Sequence, residues 1–337
     1  MLKQTIKRSA QVVLAQVGPH RWPAVAPRLL VLMYHRVLPR DDIRATIEQP
    51  GMIVTPQTFA LHLELLKRHF AMVKLGDWLR ASAAGASVPA KACAITFDDG
   101  WRDNFEFGFP ALQRAAVPAT IFLVSDLIGT SRPFWPQRLA MALCGAARDC
   151  AVWQSAEFRW LRGLGADYRF DAVPPNAAEL DDIVSRAKGF TEDELHARLD
   201  AMEPLLGAAP ALPPPLLDWD EVRAMQASGL VEFGSHTRRH VRMAPALSRD
   251  RLDDEIAGSK ALITQHLGSD VDLFCYPNGD MTPAAEQTVR AHYAGACTTR
   301  KGWHGRGQDP YRIRRIGMHD DVSRDPTAFL ARLSGWI

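Results

Sequence analysis

Residues 93–100 read Cys-Ala-Ile-Thr-Phe-Asp-Asp-Gly, a short apolar run that ends in two adjacent carboxylates and a glycine. The run has the length and composition of a buried β-strand, and Thr96 is its only polar residue. Asp98 and Asp99 repel each other unless a cation or a proton offsets their charge. Gly100 permits the sharp turn that would bring both carboxylates into one site. The tripeptide is equally compatible with a helix N-cap, because aspartate is common where a strand passes into a helix.

Strand and helix patterns alternate on both sides of this stretch. The seven strand candidates are residues 28–37, 93–97, 118–124, 230–236, 273–279, 294–300 and the short apolar stretch before His319. Helical patterns separate most of them, which predicts an α/β protein with a parallel sheet and crossover helices. Seven strands suit a distorted (β/α) barrel better than an open sheet.

The alternation is interrupted between about residues 131 and 216. This segment contains the helical patterns AELDDIVSRAK and TEDELHARLDAMEPLL and ends in the proline-rich APALPPPLL (209–217). We interpret it as a helical insertion with a stiff exit. The chain is therefore expected to comprise an amphipathic N-terminal helix and linker over residues 1–27 and one catalytic domain over residues 28–330.

Composition and charge exclude several classes of protein. Of the 337 residues, 47% are hydrophobic and 23% are charged, as in ordinary globular proteins, and the net charge of +2 argues against a nucleic-acid partner. The five cysteines are odd in number and irregularly spaced, which favours a reducing compartment over a disulfide framework. Neither a signal peptide nor a transmembrane helix is recognised, so a cytoplasmic location is expected.

The N-terminal segment 2–17 has an apolar stripe at helical spacing, formed by Leu2, Ile6, Ala10, Val13 and Val17. Lys3, Lys7 and Arg8 lie off that stripe. Two interpretations remain open. The helix packs on the domain, or it lies on the inner face of the membrane as a peripheral contact that would suit a lipid-linked substrate.

A second polar strand end, Gly-Ser-His-Thr-Arg-Arg-His over residues 234–240, carries His236 and His240. Histidines at i and i+4 lie on one side of a helical turn, so both rings can reach one metal ion. With one aspartate they form a two-histidine, one-carboxylate set that leaves positions open for water and substrate. Zn²⁺ is the expected occupant, and Co²⁺, Ni²⁺ and Fe²⁺ are also compatible with this set.

A third strand end reads Phe-Cys-Tyr-Pro-Asn-Gly over residues 274–279. Pro277 lacks an N–H and Gly279 tolerates unusual dihedrals, so a tight turn would leave the Asn278 N–H exposed. A backbone donor at a strand end suits an oxyanion hole. An ordinary Pro-Asn-Gly turn is the simpler alternative.

The motifs TFDDG, HTRRH and YPNG, in that order, resemble those of the polysaccharide deacetylase family, the NodB-homology domain of carbohydrate esterase family four. The likeness extends to LMYHRV and VPATIFLV and covers roughly residues 28–320. It implies a distorted barrel, often seven-stranded, that hydrolyses N-acetyl and less often O-acetyl groups. It also implies that Asp98 is the catalytic base and that Asp99, His236 and His240 bind the metal.

The chain departs from the family pattern in the later motifs. Cys275 stands where the family commonly has the arginine that holds the catalytic aspartate, and Asn278 replaces an aromatic residue. Arg315 is a candidate substitute for that arginine, although a simple surface arginine is an equal alternative. Tyr276, Pro277 and Arg315 are also candidates for substrate contact.

The general acid is expected to be a histidine, because its pKa suits proton donation near neutral pH. His319 lies roughly where the family places its acid, although Gly317-Met318-His319 matches the final motif only loosely. Asp320 and Asp321 are expected to raise the pKa of His319. His35, at the end of the first strand, is expected to line the site and is the alternative acid.

These residues together predict a metal-dependent hydrolase that removes N-acetyl groups from a sugar in a polysaccharide, an oligosaccharide or a lipid-linked glycan. The alternatives are a catalytically silent carbohydrate-binding relative and a hydrolase of a non-sugar C–N bond. A long open groove would indicate a polymer, whereas a pocket closed by residues 131–216 would indicate a small or lipid-linked sugar.

Overall fold

The seven predicted strands all form in the computed structural model, which describes residues 2–146, 150–164, 176–206 and 212–337. Four shorter strands accompany them. In chain order the strands are β1 (Arg28–Tyr34), β2 (Arg36–Val37), β3 (Ile53–Val54), β4 (Ala71–Met72), β5 (Lys91–Phe97), β6 (Ala119–Leu123), β7 (Val231–Ser235), β8 (Leu273–Cys275), β9 (Gly295–Cys297), β10 (His304–Gly305) and β11 (Ile316–Gly317). The predicted strand 28–37 is divided, because its last two residues pair with β3 in a separate small sheet.

The main sheet runs in the order β10-β1-β5-β6-β7-β8-β9, and only the β10–β1 pairing in that path is antiparallel. The segment 313–317 brings the two ends of the sheet together. Ile313 bridges Cys297 of β9 in parallel, and β11 then pairs in parallel with β1. The strands therefore curl into the distorted (β/α) barrel that the sequence predicts.

The parallel strands are buried on both faces. Successive residues alternate between two apolar clusters, since Leu29 and Val31 of β1 pack in one and Leu30 and Leu32 in the other. This double burial explains why the strands appear in the sequence as continuous apolar runs. It also leaves the polar residues to the strand ends.

The helices surround this sheet. They are α1 (Leu2–Val17), α2 (Pro56–His69), α3 (Leu75–Ala83), α4 (Phe109–Ala115), α5 (Trp135–Ala146), α6 (Cys150–Gln154), α7 (Arg159–Arg162), α8 (Ala177–Ala187), α9 (Glu192–Met202), α10 (Trp219–Ala227), α11 (Arg249–Asp253), α12 (Ser259–Leu267), α13 (Pro283–His292), α14 (Asp320–Ser323) and α15 (Pro326–Arg332). Short 3₁₀ turns occupy Pro19–Arg21, Ile43–Ile47, Pro50–Met52, Ala156–Phe158, Glu203–Leu205 and Pro277–Gly279.

Capping and packing account for α2 as the sequence predicts. The Thr55 side chain accepts a hydrogen bond from the Thr58 N–H, and Pro56 occupies the first helical position. Phe59 and Leu66 are fully buried on the inner face. The helix therefore begins at its polar cap and is held by one apolar side.

Two π-helical turns, Asn104–Gly108 and Asp254–Gly258, interrupt the helical segments that lead into α4 and α12. The sequence predicts plain helices at both places. Each π turn admits one extra residue into the helical repeat and so re-aims the side chains beside it.

The described parts of residues 131–216 contain helices α5–α9. Leu139, Leu199 and Met202 belong to an apolar cluster made of these helices, separate from the two clusters of the sheet. The first residues of the proline-rich stretch, 209–211, lie outside the described residues. These helices approach the barrel at the ends of its strands, where they contribute to a cavity.

Candidate active site

A cavity of about 250 Å³ lies at the carboxyl ends of the strands. Two groups of residues line it. The strand ends and the loops after them contribute Met33, His35, Asp98, Asp99, Trp101, His236, His240, Arg242, Asn278 and Thr299, and residues 48–52 and the helical segment contribute Glu48, Gln49, Met52, Phe134, Trp135, Pro136, Gln137, Lys188 and Glu192. Parallel strands present their carboxyl ends to one side of a barrel, which is why distant motifs meet here.

Asp99, His236 and His240 converge on one point of this cavity. The Asp99 Oδ1 atom lies 3.5 Å from the Nε2 atom of His236 and 3.5 Å from that of His240. The three ligand atoms all lie within 4.8 Å of one another. The Nδ1–H of His236 donates to the Cys275 carbonyl at 2.8 Å, which leaves its Nε2 lone pair directed at Asp99.

This donor set fits a divalent metal ion. Burial lowers the pKa of His236 to about 4 and also lowers that of His240, so both rings are neutral at physiological pH. Neutral imidazole nitrogens and a carboxylate oxygen facing one another present only lone pairs, which a cation would satisfy. The Trp101 Nε1–H donates to Asp99 Oδ2 at 2.8 Å and leaves Oδ1 for the ion.

The motif loops hold their ligands in unusual backbone conformations. Among the described residues, five non-glycine positions have φ in the left-handed region, and four of these are Asp99, Thr237, His240 and Asn278. Such conformations cost of order 1–3 kcal/mol each and cluster at functional sites. The fold therefore stabilises the loops in shapes that the local sequence does not favour.

Asp98 is held by Arg315 in a two-pronged ion pair. The Arg315 guanidinium donates to Asp98 Oδ1 at 2.6 Å and to Oδ2 at 2.8 Å, and also to the Thr298 carbonyl and the Thr96 hydroxyl. Burial alone would raise the pKa of Asp98, but the charge and hydrogen bonds of Arg315 outweigh it and hold that pKa well below its usual range. Asp98 is therefore an oriented carboxylate.

Arg315, a predicted substrate contact, does not line the cavity. Its guanidinium is wholly buried and lies against Asp98, so it cannot reach a substrate. The other interpretation from the sequence, a substitute for the family's arginine, agrees with this geometry. The Cys275 Sγ lies 3.0 Å from Arg315 and 3.6 Å from Asp98, and its small side chain leaves room for the guanidinium.

The two candidate acids occupy different places. His35 lines the cavity, and its Nε2 atom lies 3.9 Å from Asp98 Oδ2. His319 is not among the cavity residues, and its nearest carboxylate is Asp321 at 3.8 Å. The expected rise in the pKa of His319 is also wrong, because burial and the charge of Arg332 lower it more than Asp321 raises it.

The turn Pro277–Gly279 places Asn278 in the cavity wall but turns its neighbours away. No hydrogen bond within the described chain uses the Asn278 N–H, which is therefore a free donor. Tyr276 and Pro277 are buried and do not line the cavity, so the structure does not bring these two predicted substrate contacts into the site. The Tyr276 ring packs edge-on against Phe274 in the core, 5.1 Å between centroids.

A buried polar chain that starts at the cavity wall was not predicted from the sequence. The Arg36 guanidinium donates to Asp103 and to Glu48 at 2.8 Å each and stacks over the Trp101 ring at 4.2 Å. Gln137 of α5 donates to both oxygens of Glu48. This chain connects the helices α5–α9 to the indole that orients Asp99. Only the adjacency of Trp101 to the DDG motif could have pointed to it.

Comparison with known proteins identifies one matching family and two relatives with similar sequences. Residues 85–294, more than half of the chain, match the family described as polysaccharide deacetylase. The poly-β-1,6-N-acetyl-D-glucosamine N-deacetylase of Staphylococcus epidermidis is 31% identical over 110 residues, 30% of this chain and 38% of that protein. YxkH of Bacillus subtilis is 26% identical over 133 residues, 38% of this chain and 43% of that protein. The matches thus span about two fifths of the length of these relatives.

Solved structures show the same fold. The deacetylase PplD of Streptococcus pyogenes, in complex with acetate, superposes with a TM-score of 0.59 at 16% identity over 92% of this chain and 99% of that one. IcaB from Ammonifex degensii superposes with a TM-score of 0.58 at 19% identity over 91% and 98%. Together with the match over more than half of the sequence, this shows that the chain belongs to the polysaccharide deacetylase family.

Proposed function

We propose that the protein hydrolyses the N-acetyl group of an N-acetylated glycan, with a divalent cation held by Asp99, His236 and His240. The observation that carries this proposal is the pairing of an oriented carboxylate, Asp98, with a three-ligand cluster in one cavity. Family membership supports the reaction class. Zn²⁺ is the first candidate for the cation, and Co²⁺, Ni²⁺ and Fe²⁺ also suit the two-histidine, one-carboxylate set.

Asp98 acts as the general base in this proposal. A bound divalent cation would acidify the attacking water and polarise the amide carbonyl. The ionised carboxylate of Asp98, aimed by the Arg315 fork, accepts the proton of that water. Because Arg315 lowers the pKa of Asp98, the carboxylate is available for proton transfer throughout the neutral range.

The charge that develops on the carbonyl oxygen is stabilised by the Asn278 N–H. This donor is free and reaches the cavity wall. A preoriented backbone donor is effective because it requires no reorganisation during the reaction. Asn278 lines the cavity with a left-handed φ of 56°.

His35 is the proposed acid that protonates the departing amine. It shares the cavity with Asp98, whereas His319 lies outside it. Proton transfer needs hydrogen-bond reach to the leaving group, so the position of His35 in the cavity supports it over His319. This reverses the ranking of the two residues that the sequence suggests.

The substrate is proposed to present a single N-acetylated sugar to the cavity. The volume of about 250 Å³ and the wall formed by Phe134, Trp135 and Gln137 suit one sugar ring stacked on aromatic side chains. The similarity to the poly-β-1,6-N-acetyl-D-glucosamine N-deacetylase of Staphylococcus epidermidis supports N-acetylglucosamine as the sugar type. The acetate-release assay distinguishes whether that sugar belongs to a polymer or to a lipid-linked glycan.

The test is acetate release from a panel of N-acetylated glycans, measured with the cation-loaded protein, the chelated protein and Asp98→Asn. We expect release that requires both the cation and Asp98. Binding of a glycan without any acetate release would instead support a silent carbohydrate-binding relative. Release of acetate or formate only from non-sugar amides would support a hydrolase of other C–N bonds.

A further inference from the structure

The N-terminal helix α1 has exposed apolar side chains on the side that faces away from the rest of the protein. It packs on α15 through the opposite side, where Ala15 is buried and Arg8 pairs with Asp325 at 3.0 Å. Ile6, Val13 and Val17 follow one another at helical spacing and lie within about 20° of one line along the helix. At 100° per residue that line is diametrically opposite Ala15. The apolar stripe therefore faces outward.

Two tryptophans extend this stripe. The Trp22 Nε1–H donates to the Val17 carbonyl at 2.7 Å, and the Trp22 ring meets the Trp336 ring edge-on with 6.0 Å between centroids. We define Ile6, Val13, Val17, Trp22 and Trp336 as the outer strip. Between 46% and 64% of the surface of each is exposed. A contiguous exposed apolar patch of this kind marks an interaction site.

The chain around the outer strip is basic. The first 22 residues contain four basic residues and no Asp or Glu, although the whole chain is nearly balanced at 40 basic and 38 acidic residues. The four are Lys3, Lys7, Arg8 and Arg21. Arg21, beside Trp22, is exposed and forms no ion pair with any described residue. An apolar strip bordered by cationic residues is complementary to a surface that is apolar within and anionic outside.

We propose that the outer strip is a docking surface for an anionic lipid bilayer, with α1 lying parallel to the membrane. None of the described helices has the length and apolar content to cross a bilayer, so the contact is peripheral. A second copy of the chain is disfavoured, because two strips with the same basic border would repel each other. Five side chains also fall short of the roughly 800 Å² per partner that a stable dimer buries.

The experiment is co-sedimentation of the full chain with vesicles of phosphatidylcholine alone or of equimolar phosphatidylcholine and phosphatidylglycerol. We expect stronger partitioning to the anionic vesicles, weakened by a tenfold rise in salt because screening reduces the attraction. Val13→Ser should lower the partition coefficient by about fivefold to tenfold through loss of apolar burial. Val12→Ser is the matched control, since Val12 is also exposed but lies off the strip.

Three results would overturn the proposal. They are failure of the natural protein to bind anionic vesicles, equal loss of binding in the two valine variants, and a concentration-dependent dimer that Val13→Ser abolishes without any vesicle binding. Unchanged thermal unfolding of both variants shows that the fold is intact. Acetate release from a soluble glycan, which does not require the outer strip, tests the proposed hydrolase separately.

Discussion

Asp98 and Asp99 are adjacent in the chain but bind different partners. The Asp98 carboxylate lies against Arg315, while Asp99 accepts from the Trp101 indole and faces His236 and His240. The change of direction follows from the left-handed backbone at Asp99, which has φ of 75°. The repulsion expected between the two carboxylates is thus relieved for Asp98 by a guanidinium and, in the proposed function, for Asp99 by a cation.

Replacing each carboxylate should therefore have a different effect. Asp98→Asn should retain the cation and lose turnover by roughly 10²–10⁴, the usual contribution of a general base. Asp99→Asn should lose cation affinity, because the amide adds no charge to the two imidazoles. Metal content after gel filtration and the rate of acetate release measure the two effects.

Stability provides the control for this pair. Asp98→Asn leaves the buried Arg315 guanidinium without its counter-charge, which should lower the free energy of unfolding by a few kcal/mol. Urea denaturation must show that the variant is still folded under assay conditions. An Asp98→Asn protein that loses its metal while Asp99→Asn keeps it would reverse the two assignments.

The choice of general acid can also be tested by replacing single residues. His35→Gln should lower kcat far more than KM and remove the alkaline limb of the pH–rate profile, because a general acid must be protonated to act. His319→Gln should keep that limb, since its ring lies outside the cavity. Rates between pH 6 and 10 distinguish the variants. Loss of the limb in His319→Gln alone would return the role to His319.

At the scale of elements, each π-helical turn supports one catalytic loop. At Asn104–Gly108, Asp103 accepts from the Arg36 side chain and the Val37 N–H, and Asn104 donates to the His35 carbonyl. At Asp254–Gly258, Glu255 accepts from backbone N–H groups and from an arginine side chain of the loop between His236 and His240. In both cases a buried carboxylate pairs with a backbone N–H and an arginine of the same loop.

Glu255 is therefore expected to act as a positioning residue for the metal ligands. Its Oε2 atom accepts from the N–H groups of Arg238 and Arg239 at 3.0 Å each, and its Oε1 accepts from the Arg239 side chain at 2.7 Å. Glu255→Gln turns an amide NH₂ toward these donors. We expect cation affinity to fall by about 10–100-fold, as for other supports of metal ligands.

Glu286→Gln is the matched control for this experiment. Glu286 is also largely buried and paired with two arginines, Arg290 and Arg312, but it contacts no catalytic loop. Chelator competition with Zn²⁺ or Co²⁺ gives both affinities. Equal affinities in the two variants would show that Glu255 stabilises the fold without positioning the ligands.

At the scale of the whole molecule, His62 connects α2 to β1 and to the C-terminal helices α14 and α15. Its neutral ring donates from Nε2–H to the Ser323 carbonyl at 2.7 Å and accepts at Nδ1 from the Tyr34 hydroxyl at 3.0 Å. The ring also stacks on Phe329 with 3.9 Å between centroids. These partners come from β1, near the start of the chain, and from the neighbouring helices α14 and α15 near its end. Burial lowers the pKa of His62 to about 4.

The lowered pKa predicts a stability that depends on pH. The unfolded chain binds a proton at His62 below its ordinary pKa of about 6.5, whereas the folded protein does so only near pH 4. This contribution is present above pH 6.5 and is lost progressively as the pH falls toward 4, by up to about 3 kcal/mol. Urea unfolding should show a shallower loss over this range in His62→Gln. His292→Gln, at an exposed position, should keep the wild-type slope, and an equal slope in His62→Gln would contradict the assignment.

The main strands and the three residues of the candidate metal site could be predicted from the sequence alone. Apolar periodicity and caps are local signals, and they predict α2 and the seven strands because each of these depends on residues within about one helical turn or strand. The candidate metal ligands can likewise be recognised in the sequence, since His236 and His240 lie four residues apart and Asp99 ends an apolar strand.

Tertiary structure alone decided what surrounds those ligands. Arg315 reaches Asp98 across 217 residues of sequence only because 313–317 closes the sheet between β9 and β1. The burial of Tyr276 and the position of His319 depend on which side of a strand end faces the cavity, which no local pattern specifies. The outward direction of the stripe on α1 likewise follows from its contact with α15. Contacts between distant elements depend on closure of the whole fold, and a one-dimensional pattern does not encode that closure residue by residue.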